Sequence, residues 1–303
     1  MASTLEMPVL FVDHEHRPTA DFHLDQLRVK IGNGEAFKPL AMRKEGDDPL
    51  SLTIFIDASR DSFHELAQLG EDLAPAVGTL LLPTDRVSIY AADCTMTRSL
   101  NAVPPNATVL KKAVKDALDY PTLHGGKSSS VCGKTFHLWD YTAAAIAPLT
   151  HAPGRRVLLL VTSGEDGGSK YDWVAIQQYA FDNSVAIFAL RDQKQADVDD
   201  YTRQSMNTHH QGSFSSIAPV PEARKANELE LLCANAGGLT LSSNIIFRKD
   251  ALVDMFFLMK SRYILTIAKD EYPSATHSAK VSITPLTPSF ITATGAGQPI
   301  VVP

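Results

Sequence analysis

The chain has 303 residues, of which 44% are hydrophobic and 20% charged, and its formal net charge is −6. That length suits one large domain or two smaller ones, and that composition belongs to ordinary globular proteins rather than disordered chains. The acidic balance gives no sign of a general nucleic-acid partner, which would favour a basic stripe.

The start, Met1-Ala2-Ser3-Thr4, carries no basic residue and no long apolar core, so no leader is visible. A cytoplasmic chain and a mature exported chain both remain open. Pro8 to Asp13 reads as a strand, followed by the turn-rich segment His14 to Pro18. From residue 50 onward apolar runs of strand length, 52–56, 87–92, 157–162 and 185–190, alternate with helical patterns at roughly 61–78, 107–118, 137–147 and 172–181. Such alternation predicts an α/β fold, a doubly wound, mostly parallel sheet with helices on both faces. A further helix at 226–236 is closed by Gly237-Gly238, a C-terminal cap. A short strand follows at 239–241, then a helix from Lys249 to Met259. The tail turns to alternating strands, 263–268 and 279–284. These β-only ends predict a small β-sandwich, residues 8–48 with 261–303, into which an α/β unit of residues 49–260 is inserted. No run approaches ~18 apolar residues, so no membrane insertion is expected.

The most informative segment is Ser51-Leu52-Thr53-Ile54-Phe55-Ile56-Asp57-Ala58-Ser59-Arg60-Asp61. A buried strand delivers Asp57, Ser59 and Asp61 at alternate positions to its carboxyl end, where ligands of open α/β sheets sit. Oxygen donors there suit a hard divalent cation such as Mg²⁺.

This turn resembles the Asp-x-Ser-x-Ser motif of the metal-ion-dependent adhesion site in von Willebrand factor type A domains, with Asp61 in place of the last Ser. Gly133-Lys134-Thr135 resembles the family's Thr loop, and Arg156 to Asp166 its third strand and turn, with Ser163 where the family has Asp. The Asp13–Pro18 turn, the Gly237-Gly238 cap and the Tyr263 strand extend the likeness over about residues 8 to 286. They resemble the bacterial, acidobacterial-type VWFA-related group. The resemblance implies a non-enzymatic protein-binding or adhesion module, exported to the periplasm, cell envelope or medium. Its metal set would be Asp57, Ser59, Asp61, Thr135 and Ser163, holding Mg²⁺ (or Mn²⁺ or Ca²⁺), with an Asp or Glu of a protein ligand completing the shell. Glu165 or Asp166 would compensate for Ser163 if their loop bends inward. With one carboxylate gained and one lost, the alternative is a metal-free, structural or assembly protein of the cell envelope. Asp140 matches a family position that suits a hydrogen bond at a helix start.

Other patterns carry less. Gly126-Lys127-Ser128 and Gly133-Lys134-Thr135 lack the leading Gly of a phosphate-binding loop. Thr162-Ser163-Gly164 is not a nucleophile elbow, because Val161 and Glu165 replace its glycines. No enzymatic constellation stands out. Lys111-Lys112-Lys115 has the spacing of a solvated helix face. His14, His16, His209 and His210 read as solvated loop residues, and Asn106-Ala107-Thr108 as a sequon that matters only in a eukaryotic secretory setting. Cys233 reads as buried, while Cys94 and Cys132 are either two thiols or a disulfide. The long polar stretch 191–227 would lie on the same face as Asp57.

Overall fold

The computed structural model describes residues 4–13, 18, 23–31, 35–46, 48–59, 66–93, 95–125, 136–192, 221–243, 246–268, 279–283, 290–293 and 300–301. The strands are β1 (Thr4–Asp13), β2 (Leu27–Ile31), β3 (Ala41–Lys44), β4 (Leu50–Asp57), β5 (Arg86–Ala92), β6 (Met96–Val103), β7 (Arg155–Thr162), β8 (Val185–Asp192), β9 (Thr240–Ser243), β10 (Tyr263–Ala268), β11 (Ala279–Ile283), β12 (Phe290–Ala293) and β13 (Ile300–Val301). The helices are α1 (Leu69–Leu80), α2 (Ala107–Gly125), α3 (Leu138–Ile146), α4 (Trp173–Asp182), α5 (Pro221–Asn235) and α6 (Arg248–Lys260).

Six strands form one sheet in the order β6-β5-β4-β7-β8-β9, parallel except for the β5–β6 pair. Every residue of β4 is buried, as a strand covered on both faces requires, and its Leu-Ile-Phe-rich run is the sequence form of that requirement. Side chains alternate across the sheet. Leu52, Ile54 and Ile56 pack with α1, α2 and α6 on one face. Phe55 packs with α3, α4 and α5 on the other. The expected doubly wound α/β architecture is present. The chain leaves β4 toward β5 on one side and returns to β7 on the other, so the topological switch point lies between β4 and β7.

A separate antiparallel sheet runs β12-β1-β10-β3, with β13 also on β1, and a two-stranded ribbon pairs β2 with β11. Met7, Val9 and Phe11 of β1, Tyr263, Leu265 and Ile267 of β10, and Leu27 and Val29 of β2 form its own core, with Phe11 and Tyr263 edge-to-face at 5.7 Å. The opposite face of β1 presents Leu10 and Val12 to the α/β core. The junction also holds a buried ionic group. Arg262 Nε lies 3.4 Å from Glu45 Oε2, both side chains 3% exposed. Arg155 donates to the carbonyls of Asp48 (2.8 Å) and Met259 (3.3 Å).

Several boundaries differ from the sequence reading. β2, β3 and β6 are additional strands. Residues 61–65, where the first helix was expected to start, lie outside the described residues; α2 continues through Pro121 to Gly125, and α5 begins at Pro221 rather than 226. Proline suits a first helical turn because its missing N–H has no partner there. Asn106 Oδ1 accepts from Val109 N at 3.0 Å, so the sequon asparagine caps α2. Lys111, Lys112 and Lys115 are exposed, as a solvated face requires.

Candidate functional site

The site grows from the switch point. Phe55 and Asp57 share a face of β4, and Asp57 is fully buried where the strand ends. Its Oδ1 accepts from Ser59 N at 3.0 Å, folding the chain back over the carboxylate. Its Oδ2 accepts from Thr162 Oγ1 at 2.7 Å, tying the end of β4 to the end of β7. The same Thr162 oxygen accepts from Gly164 N at 3.1 Å. Burial pushes the Asp57 carboxyl up, against the pull of hydrogen bonds from Ser59, Thr162 and the backbone of Ser163. Among the described residues no cationic side chain enters that balance. The described partners of this buried carboxyl group are neutral donors.

Ser163 follows directly and is half-buried. Its Oγ lies 3.4 Å from Glu165 N, and its carbonyl accepts from Arg191 Nε at 3.2 Å. Arg191, 3% exposed at the end of β8, brings a positive charge beneath the Ser163 side of the site. Its Nη1 lies 3.8 Å from Glu230.

The loop after β7 does not bend a second carboxylate inward. Asp166 is occupied by Gly168 N at 3.0 Å, Ser169 N at 2.9 Å and the Ser169 hydroxyl, and Glu165 is exposed. The expected compensation for Ser163 is therefore corrected: local turn chemistry claims Asp166 first. Ser169 Oγ in turn accepts from Trp139 N and Asp140 N, capping α3 from outside. The Asp140 carboxylate accepts from Lys170 N and Tyr171 N, both at 3.1 Å. Asp140 thus has the structural, helix-start role expected of it. Asp172 caps α4 through Ala175 N at 2.8 Å.

Asp61 and Thr135 lie outside the described residues, as do Cys94, Cys132, the four loop histidines and residues 193–220. Phe136, next to Thr135, is buried, and its carbonyl accepts from Gly167 N at 2.6 Å, docking that segment on the loop after β7. Cys233 is buried and free, its thiol pushed up to about 12 by burial. Sequence reasoning missed Thr162, because it looks like the last residue of an apolar strand. It missed Arg191 because it is a single charge at a strand end, with no partner at a telling spacing.

The described donors, carboxylate and hydroxyl oxygens at the buried end of β4 and β7, fit a hard divalent cation in type. Among the described residues no group of three or more His, Cys, Asp or Glu converges. No described helix is long and apolar enough to cross a membrane.

Sheet order and switch-point site define a von Willebrand factor type A-like fold. No family model matches the sequence, and no curated protein matches it. Solved structures do. Proximal thread matrix protein 1 from the mussel byssus is 11% identical, with a TM-score of 0.50 over 76% of this chain and 51% of that one. This chain therefore spans about half the length of the mussel protein. A structure of that protein with a zinc-occupied MIDAS motif aligns at 9% identity and a TM-score of 0.41, over 76% of this chain and 49% of that one. An aerotolerance-related membrane protein from Bacteroides fragilis is 11% identical, with a TM-score of 0.44 over 69% of this chain and 98% of that one.

Proposed function

We propose that the chain is a non-enzymatic binding module of the bacterial VWFA-related kind, exported to the cell envelope or medium, that captures a protein ligand at the carboxyl-end face of its six-stranded sheet. The observation that carries this reading is Asp57: a fully buried carboxylate at the switch point, held by neutral donors. Asp57, Ser59 and Ser163, with Asp61 and Thr135 of the same motifs, would hold a divalent cation, Mg²⁺, Mn²⁺ or Ca²⁺. The cation would supply an open coordination position for an Asp or Glu of the ligand. The chain's own part is to fix the carboxylate, through Ser59 and Thr162, and to hold the surrounding loop rigid, through Asp140, Asp166 and Ser169. Residues 8–48 with 261–303 would form the carrying β-sandwich and 49–260 the binding unit.

Isothermal titration of metal-stripped protein with Mg²⁺ and Mn²⁺ tests the reading. Binding with a micromolar-to-millimolar Kd, abolished in Asp57→Ala, is the expected result. Absence of binding by the unaltered chain overturns the cation site.

A second reading is favoured by one observation. Both Asp57 oxygens already accept hydrogen bonds, so the turn is closed without a cation. The chain would then be a metal-independent structural or assembly protein of the envelope. Ligand capture that survives excess chelator selects it.

A further inference from the structure

α4 and α5 cover the same face of the six-stranded sheet, where Ile176 and Ala180 of one helix share a core with Leu229, Leu232 and Cys233 of the other. Each helix leads into a strand of the parallel array, β8 or β9, so the two run side by side in the same direction. Asn235 Nδ2 donates to Gln177 Oε1 at 2.9 Å and fixes their alignment. One turn back from that bond stand Val174 on α4 and Leu231 on α5, because residues three and four apart share a helix flank. Tyr171 lies a further turn up, where the chain enters α4. A helix on a protein surface normally turns polar residues to solvent. This seam instead exposes apolar ones: Tyr171 is 48%, Val174 50% and Leu231 46% exposed.

Size and charge decide what fits there. The three side chains present on the order of 300 Å², enough for a functional patch but well short of the ~800 Å² per partner of a stable protein–protein interface. That is too little to hold a second copy of the chain. A single helix, by contrast, can lay an apolar stripe of that extent in the α4–α5 groove. Among the described side chains of the two helices and the turn before α4, the acids are Asp172 and Asp182 at the ends of α4 and Glu228 and Glu230 on α5. Against them stands Lys170, whose ammonium sits over the Tyr171 ring at 5.5 Å.

We propose that the α4–α5 groove is a docking site for an amphipathic helix of a protein partner, one whose apolar stripe is bordered by Lys or Arg. The groove lies on the flank of the sheet and needs no cation at Asp57, so it goes beyond the reading above.

Trp173 makes the site visible. It precedes Val174 and is partly buried against the core beneath the groove, whereas Trp139 is buried. The full chain is titrated, in chelator and at ~0.15 M salt to screen exposed charges, with a capped Leu/Lys amphipathic peptide of about four helical turns. Its Leu/Glu counterpart is run in parallel, and Trp fluorescence is followed. Saturable binding of the Leu/Lys peptide is expected, with affinity about fivefold or more lower in Val174→Gln and in Leu231→Gln, which each remove apolar contact, and lower again for the Leu/Glu peptide. Both positions are half-exposed, so thermal melts of the variants are expected to match the parent. Absence of saturable binding overturns the groove as a helix site, and so does equal affinity in the unaltered chain and both variants. Sedimentation of the peptide-free chain tests the other occupant: a dimer dissociated by Leu231→Gln overturns the partner helix in favour of a second copy. None of these outcomes involves Mg²⁺, so the cation reading stands or falls on its own titration.

Discussion

Asp57 is a carboxylate that burial works against. Its folded-state pKa is raised above the ordinary value near 3.8, so the folded chain keeps this proton to higher pH than the unfolded chain does. The stabilising contribution of the protonated form is complete below the ordinary carboxylate range, and it is lost as pH rises through the raised value. Glu45 and Asp93, also raised by burial, act in the same direction. Asp57→Asn keeps the shape of the side chain and removes the charge. Without divalent cations it is expected to match or exceed the parent in Tm at pH 7, with a flatter dependence of Tm on pH above 4. Millimolar Mg²⁺ should raise the Tm of the parent alone, by mass action on the folded state. Thermal melts at several pH values, with and without Mg²⁺, check both. A variant that melts lower and still responds to Mg²⁺ would place the cation elsewhere.

At the scale of elements, the turn that ends α5 shows how a sequence signal becomes geometry. Gly237 has φ +82°, and Gly238 N donates to Cys233 O at 3.0 Å, closing the helix in a Schellman arrangement. Gly238 then passes so close to β8 that an added Cβ would stand 2.1 Å from Ile187 O. Gly238→Ala is therefore expected to cost about 1–3 kcal/mol. Gly78→Ala, in the exposed last turns of α1 where a Cβ meets nothing within 4 Å, is expected to stabilise by about 0.5–1 kcal/mol. Urea unfolding of the two variants reads both signs in one experiment. The same contrast between covered and bare elements governs what could be read in advance. β4, β5, β7 and β8 were legible because strands covered on both faces are runs of Ile, Leu, Val and Phe. β6 was not, since none of its residues is buried, and neither was β3, which exposes three of its four. Edge strands pair through the backbone and ask little of their side chains. β6 shows this in its irregular register with β5 and in Ala102 at φ +48°, whose N–H is held by Ser88 Oγ at 2.9 Å. At the site, Asp57 was legible as a strand-end acid. The grip of Thr162 on it was not, because it depends on which two strands become neighbours.

At the scale of the molecule, the two sheets are joined by β1 and by the Glu45–Arg262–Arg155 group. A buried ion pair without full hydrogen bonding is costly to desolvate, and breaking one partner away is costlier still. Arg262→Met alone should destabilise by about 3–5 kcal/mol, because Glu45 stays buried with less compensation. Arg262→Met combined with Glu45→Leu should recover most of that loss, and denaturant midpoints of the single and double variants measure the difference. Failure of the double variant to recover would mean that Arg262 acts through packing rather than charge.

The pairing of β1 with β10 joins Thr4 to Ala268, so nearly the whole sequence lies between two hydrogen-bonded neighbours. During synthesis β1 emerges before the six strands between residues 50 and 243 and its partners emerge after them, while those six strands pair only with one another. The closure entropy of so large a loop falls before its contacts form. The antiparallel sheet is thus a late event, and Leu10 and Val12, which complete the α/β core from outside, act as a latch set only once β10 has joined β1.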